Sequence, residues 1–264
     1  MDAPATDARA FRIDLGDHRL AAVRVDPAIV TPGRAPLVLL HEGLGTIGLW
    51  RDFPAALAAA TGREALVYDR RGYGKSDPFA GARGTDYLHV EAHDVLPRVL
   101  DAAGIERAVL VGHSDGGTIA LLAAGRFPDR IVGAAVEATH VFVEDVTIAG
   151  IHRAVAGYVP HLRDRLNRHH GGKTDAVFAA WADTWLSEGF RDWNIEDELR
   201  AIACPLLAIQ GADDEYGSEA QVLAICRGAG NATPLMIPHC AHVPHHQARE
   251  TVLTAMTEFI AALD

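Results

Sequence analysis

The sequence predicts an α/β fold in which a mostly parallel sheet is covered by helices on both faces and is interrupted once by a helical insertion. Three observations carry this. Short apolar runs recur at Leu37–Leu40, Ala65–Tyr68, 108–111, 132–136, 205–210 and 234–237, without the polar alternation of a half-exposed strand, which is the pattern of strands buried on both faces. Helical stretches separate these runs, as crossovers between parallel strands require. Residues 140–200 read as helical and amphipathic with no strand signal, and a structureless loop of that size is improbable. The expected organisation is a core domain of residues 10–139 and 201–264, with residues 140–200 inserted as a helical cap or lid over the carboxyl edge of the sheet.

In chain order, residues 1–9 read as a frayed tail. Stretches 11–15 and 20–25, joined by Gly16-Asp17-His18, suit an opening hairpin. Pro32 and Gly33 punctuate a loop before the run Leu37–Leu40, which ends in the glycine-rich His41-Glu42-Gly43-Leu44-Gly45. A loop of this kind at a strand's carboxyl end lets backbone donors approach a ligand. A helix is expected over 49–60, then the strand Ala65–Tyr68, then the polar turn Asp69-Arg70-Arg71-Gly72-Tyr73-Gly74-Lys75-Ser76-Asp77, whose glycines and basic residues lack P-loop spacing and read as structural. Helical periodicity runs from 85 to 102 with Gly104 as its stop. After the insertion, whose aromatics are Phe178, Trp181, Trp185, Phe190 and Trp193, come a strand over 205–210, a helix over 218–227, a strand over 234–237 and a closing helix over 244–263.

Composition excludes several function classes. The 264 residues carry 35 acidic and 24 basic side chains, a formal charge of −11, with no basic run, so nucleic acid and anionic lipid are disfavoured as partners. Three cysteines without CxxC spacing suit reduced thiols in a cytoplasm. The first residues lack the basic start and apolar stretch of a signal peptide, and no apolar run approaches the ~20 residues of a membrane span. The expectation is a cytoplasmic protein that works on a small molecule away from membranes; a homodimer is compatible with the sequence.

The chemistry centres on Gly112-His113-Ser114-Asp115-Gly116, set between the strand at 108–111 and a small-residue helix over 116–125. A strand that becomes a helix within five residues bends too sharply for a Cβ at its flanks, hence the glycines, and it leaves Ser114 at the apex. The amides that open the helix, beginning with Asp115, face developing negative charge there. A serine hydroxyl needs a base, and the base needs an acid to hold its tautomer. Acid candidates follow the strand at 205–210 in Gly211-Ala212-Asp213-Asp214, with Asp214 preferred and Asp213 second. The base candidate is His242 in Pro238-His239-Cys240-Ala241-His242-Val243-Pro244, just outside a helix that starts at Pro244.

These motifs together, GHSDGG, HEGLG, DRRGYGKSD, GADD and AHVP in the order serine, acid, histidine, resemble those of the α/β-hydrolase fold family from Phe11 to Leu263. The resemblance implies a triad of Ser114, Asp214 and His242, with an oxyanion hole made by the Asp115 amide and one from the HEGLG loop. Glu42 stands where that family usually has glycine, so the second donor is Gly43 in an ungapped alignment and Leu44 if Glu42 is an insertion. The implied activity is hydrolysis of a carboxylic ester or related acyl compound through an acyl-enzyme, without metal or organic cofactor. Carbon–carbon bond hydrolysis of ring-cleavage diketones and non-catalytic ligand binding on the same fold are the alternatives.

Other residues admit quieter readings. The spacing of His239, His242 and His245 invites a metal, yet no acidic residue accompanies it in that short run, and solvated histidines are the expected reading. His113 is expected to pack and hydrogen-bond, Asp115 to supply its amide beside a carboxylate that favours a helix N-terminus, and Cys240 to fill space. Glu42 either binds a polar substrate group or raises the effective basicity of His242, or else pairs with Arg70, Arg71 or a backbone amide. Trp181 and Trp185 either line an acyl pocket or form the insertion's own core.

Overall fold

The structure, a computed structural model, describes residues 7–79, 81 and 83–263. Strands β1 (Asp7–Asp14) and β2 (Arg19–Asp26) form the opening hairpin, followed by β3 (Leu37–Leu40), a 3₁₀ turn at Ile47–Trp50, α1 (Phe53–Thr61) and β4 (Ala65–Tyr68). Next come α2 (Tyr87–Val90), a π-helical turn at Glu91–Val95 and α3 (Leu96–Ala102). Then follow β5 (Ala108–His113), α4 (Asp115–Arg126) and β6 (Ile131–Glu137). Helices α5 (Asp145–Ala156), α6 (Arg163–His170) and α7 (Thr174–Leu186) fill the stretch before β7 (Leu206–Gly211). The chain closes with α8 (Glu219–Gly228), β8 (Ala232–Ile237), α9 (Pro244–Gln247) and α10 (Arg249–Ala261).

The eight strands lie in the order β1-β2-β4-β3-β5-β6-β7-β8, antiparallel through β1, β2 and β4 and parallel from β4 onward. Alternate residues feed two cores. Val38, Leu40, Leu110 and Val136 pack with α3, α4 and α8, whereas Leu37, Leu39, Val109 and Val111 pack with Phe53 and Leu57 of α1 and Val252, Met256 and Ile260 of α10. Two-sided burial explains why β3 and β4 are continuous apolar runs. The order reverses at β3, which lies between β4 and β5, so the loops leaving β3 and β5 flank one crevice at the carboxyl edge. Ligands of open α/β sheets bind at such a switch point.

Three expectations need correction. Residues 7–9 are not a tail: β1 begins at Asp7 opposite Asp26, and Arg9 pairs with Asp26 at 2.6 Å. Residues 7–9 are all exposed, so no alternation extended the strand read at 11–15 back to its start; residues 1–6 lie outside the described residues. The helix expected from 49 starts at Phe53, next to Pro54, whose fixed φ suits a first turn. The closing helix is two helices, broken at Ala248 (φ −130°, ψ 43°).

Candidate active site

Ser114 occupies the turn between β5 and α4 with φ 53° and ψ −116°, a region L-residues seldom adopt, so the local backbone is strained. Packing enforces the strain. A Cβ on Gly112 would run into the Gly116 carbonyl, and one on Gly116 into the Leu40 carbonyl of β3, so both positions require glycine.

Three residues far apart in sequence meet here. His242 Nε2 lies 3.1 Å from Ser114 Oγ, and its Nδ1 lies 2.9 Å from both carboxylate oxygens of Asp214. The serine hydroxyl donates to Nε2 when Nδ1–H donates to Asp214, the tautomer in which histidine accepts a proton. Asp214 also accepts from the Tyr216 amide at 2.8 Å and the Gln210 side chain at 2.6 Å. Burial would raise its pKa, but the hydrogen bond and charge of His242 with the Tyr216 amide outweigh burial and hold the carboxyl below its ordinary value. Asp213, the second acid candidate, faces solvent 3.9 Å from the exposed His239.

Ser114 lines a cavity of about 540 Å³. Gly43, Leu44 and His242 bound it on the core side, and Trp181 and Trp185 of α7 bound it on the other. Both tryptophans are also buried in the main core, Trp185 donating to the Tyr87 hydroxyl at 2.9 Å, so lining and packing are one role. Among the described residues, the amides of Gly43, Leu44 and Asp115 have no protein acceptor, as a developing oxyanion would require of its donors.

Glu42 also borders the cavity. Its carboxylate pairs with neither Arg70 nor Arg71 but approaches His113 Nδ1 at 3.5 Å, while His113 Nε2 donates to the His242 carbonyl at 2.7 Å. Burial disfavours charge on His113, but Glu42 and Glu137 outweigh it and push its pKa up to about 9. Asp115 offers more than its amide: its buried carboxylate pairs with the buried Arg70 at 3.1 Å. Cys240 is buried, and burial pushes its thiol up to about 11, away from nucleophilic use.

Sequence reasoning missed a second buried histidine–carboxylate pair. His245 donates its Nδ1–H to Glu137, and its amide donates to the same carboxylate at 3.1 Å. The signal was available: Glu137 is the one charged residue in the apolar run of β6. Among the described residues, His113, Glu137 and His245 are the group whose ligand atoms lie close enough to suggest a metal. The spacing of His239, His242 and His245 therefore does not describe one site, because His239 is exposed and the other two turn to different carboxylates.

A family model of the alpha/beta hydrolase fold matches residues 35–153. The 2-hydroxy-6-oxo-6-phenylhexa-2,4-dienoate hydrolase of Rhodococcus superposes with a TM-score of 0.82 over 96% of this chain and 99% of that one, at 15% identity. The chain has the α/β-hydrolase fold. A stretch of 100 residues is 38% identical to an Azorhizobium caulinodans protein named as a carbamate hydrolase, covering 38% of this chain and 36% of that protein; at this identity the match spans about a third of the relative's length. A 2-hydroxy-6-oxononadienedioate/2-hydroxy-6-oxononatrienedioate hydrolase of Paraburkholderia xenovorans is 26% identical over 97% of this chain and 96% of its own. Among the described residues no helix is long and apolar enough to cross a membrane.

Proposed function

We propose that this α/β-hydrolase-fold protein hydrolyses a carboxylic ester or related acyl bond of a small molecule. Ser114 is the nucleophile, His242 the general base and acid, and Asp214 the residue that orients His242 and stabilises its charged form. The reading rests above all on the 3.1 Å contact between His242 Nε2 and Ser114 Oγ, backed by Asp214 at 2.9 Å. His242 takes the serine proton as Oγ attacks the carbonyl. The amides of Asp115 and of the loop at Gly43 and Leu44 receive the oxyanion, and His242 then protonates the leaving alcohol. Water activated by the same imidazole releases the acid. The α5–α7 insertion acts as a lid that shapes the acyl pocket with Trp181 and Trp185.

A second reading is favoured by the near full-length likeness to the Paraburkholderia xenovorans enzyme: hydrolysis of a carbon–carbon bond next to a ketone, with the same three residues. A fluorophosphonate should label Ser114 alone, and Ser114→Ala should abolish turnover of p-nitrophenyl butyrate. Retention of wild-type esterase activity in that variant would refute the assignment. A ring-cleavage diketone whose ultraviolet band decays faster than any ester is cleaved would select the carbon–carbon reading.

A further inference from the structure

The polar turn after β4 carries one fully buried arginine whose contacts converge on the oxyanion region. Arg70 Nη2 donates to the Glu42 carbonyl at 3.0 Å and to Asp115 Oδ2 at 3.1 Å. These partners belong to the two segments that flank the crevice. Asp115 supplies one expected donor amide. The Glu42 carbonyl is half of the peptide unit whose other half is the Gly43 N–H, and that peptide is trans, so its N–H points opposite to its C=O.

Two further donors fix the same carbonyl. The Arg70 amide donates to His41 Nε2 at 3.0 Å; since an amide can only donate, Nε2 accepts and Nδ1 bears the proton. His41 Nδ1 thus donates to the Glu42 carbonyl at 2.8 Å, and the Gly45 amide adds a third bond at 2.9 Å. Three donors on one carbonyl lock its direction and draw electron density from the linked N–H, making Gly43 a stronger donor. The Gly43 carbonyl, which would orient the Leu44 amide, receives no donor among the described residues. Burial works against charge on Arg70, but Tyr73, Asp115 and Glu91 outweigh it and keep the guanidinium protonated.

We infer that Arg70 is a positioning residue of the oxyanion hole: one nitrogen ties the Glu42–Gly43 peptide to the Asp115 side chain, setting the Gly43 and Asp115 amides as the paired donors. The inference rests on the hydrolase reading above. Arg70 does not border the cavity, so it acts through these two segments and not on substrate.

The test compares Arg70→Lys with the double variant Arg70→Met/Asp115→Asn, which leaves no buried carboxylate unpaired. Each is assayed for kcat and KM on p-nitrophenyl butyrate, Ki for butylboronic acid, which forms a tetrahedral adduct on serine, and the pH profile of kcat/KM. The expected result is a loss of about tenfold to a hundredfold in kcat with a parallel rise in Ki. KM should hold within about twofold and the acid limb of the pH profile should stay in place, because Arg70 touches neither His242 nor Asp214. Arg70→Lys should keep more activity than the double variant, since an ammonium reaches one of the two acceptors, and it serves alone if the double variant does not fold. A folded variant whose kcat and Ki match wild type, or one in which only KM rises, overturns the role of Arg70. A wild-type protein that takes no fluorophosphonate at Ser114 and turns over neither esters nor diketones overturns the hydrolase reading instead.

Discussion

Two histidine–carboxylate pairs sit side by side at the carboxyl edge of the sheet and are built from the same chemistry. Asp214 follows β7 and holds His242; Glu137 ends β6 and holds His245, three residues further along the same segment. Only their surroundings differ. The far nitrogen of His242 meets Ser114, and its side chain is 13% exposed to the cavity. The ring of His245 packs against Trp50 and Phe53 at 4.7 and 5.5 Å at the cavity's edge, with 3% exposed. A carboxylate-oriented imidazole is therefore not by itself a catalytic device: it needs a hydroxyl on its free nitrogen and room for a substrate. The second pair fastens the segment that carries the first, and His113, bonded to the His242 carbonyl, fastens it from the other side.

This contrast can be broken by experiment. Asp214→Asn should lower kcat by about 10⁴-fold, because the asparagine amide favours the wrong tautomer of His242, whereas Asp213→Asn should stay near wild type in the same steady-state assay. Glu137→Ala should do the opposite. It strands the buried His245 and should cost on the order of 3 kcal/mol in urea unfolding, while kcat per folded molecule falls less than tenfold. A larger kinetic than thermodynamic effect there would erase the distinction between the pairs.

The smallest expected effect concerns His113 and pH. Its pKa rises from the ordinary 6.5 to about 9 on folding, so the folded chain binds the proton more tightly than the unfolded one. The resulting stability is complete below pH 6.5 and disappears as pH climbs through 9. Melting temperatures of wild type and His113→Gln should therefore converge by several degrees between pH 6.5 and 9. A difference that does not change with pH would show that His113 carries no charge from its neighbours.

Much of the core was legible because its determinants are local. β3 and β4 have the bounds read from the sequence, since a four-residue apolar run bounded by turn formers, with the β-branched content of a strand, favours a buried strand over a helix. The bend at Ser114 was legible because two glycines mark where neighbouring backbone leaves no room for a Cβ. Nothing local marked residues 7–9 of β1, which are exposed and held by pairing with β2.

By itself, the sequence determined which segments are strands, where the chain must bend and which residue types stand at the ends of β5, β7 and β8. Tertiary structure decided which of two adjacent aspartates faces His242, that Glu42 turns to His113, that Arg70 joins Glu42 to Asp115, and that His245 belongs to Glu137. The physical reason is that periodicity and turn chemistry record only whether a residue is buried and how its backbone bends. Which side chains meet across a hundred residues depends on strand order and register, and these emerge only when the whole sheet assembles.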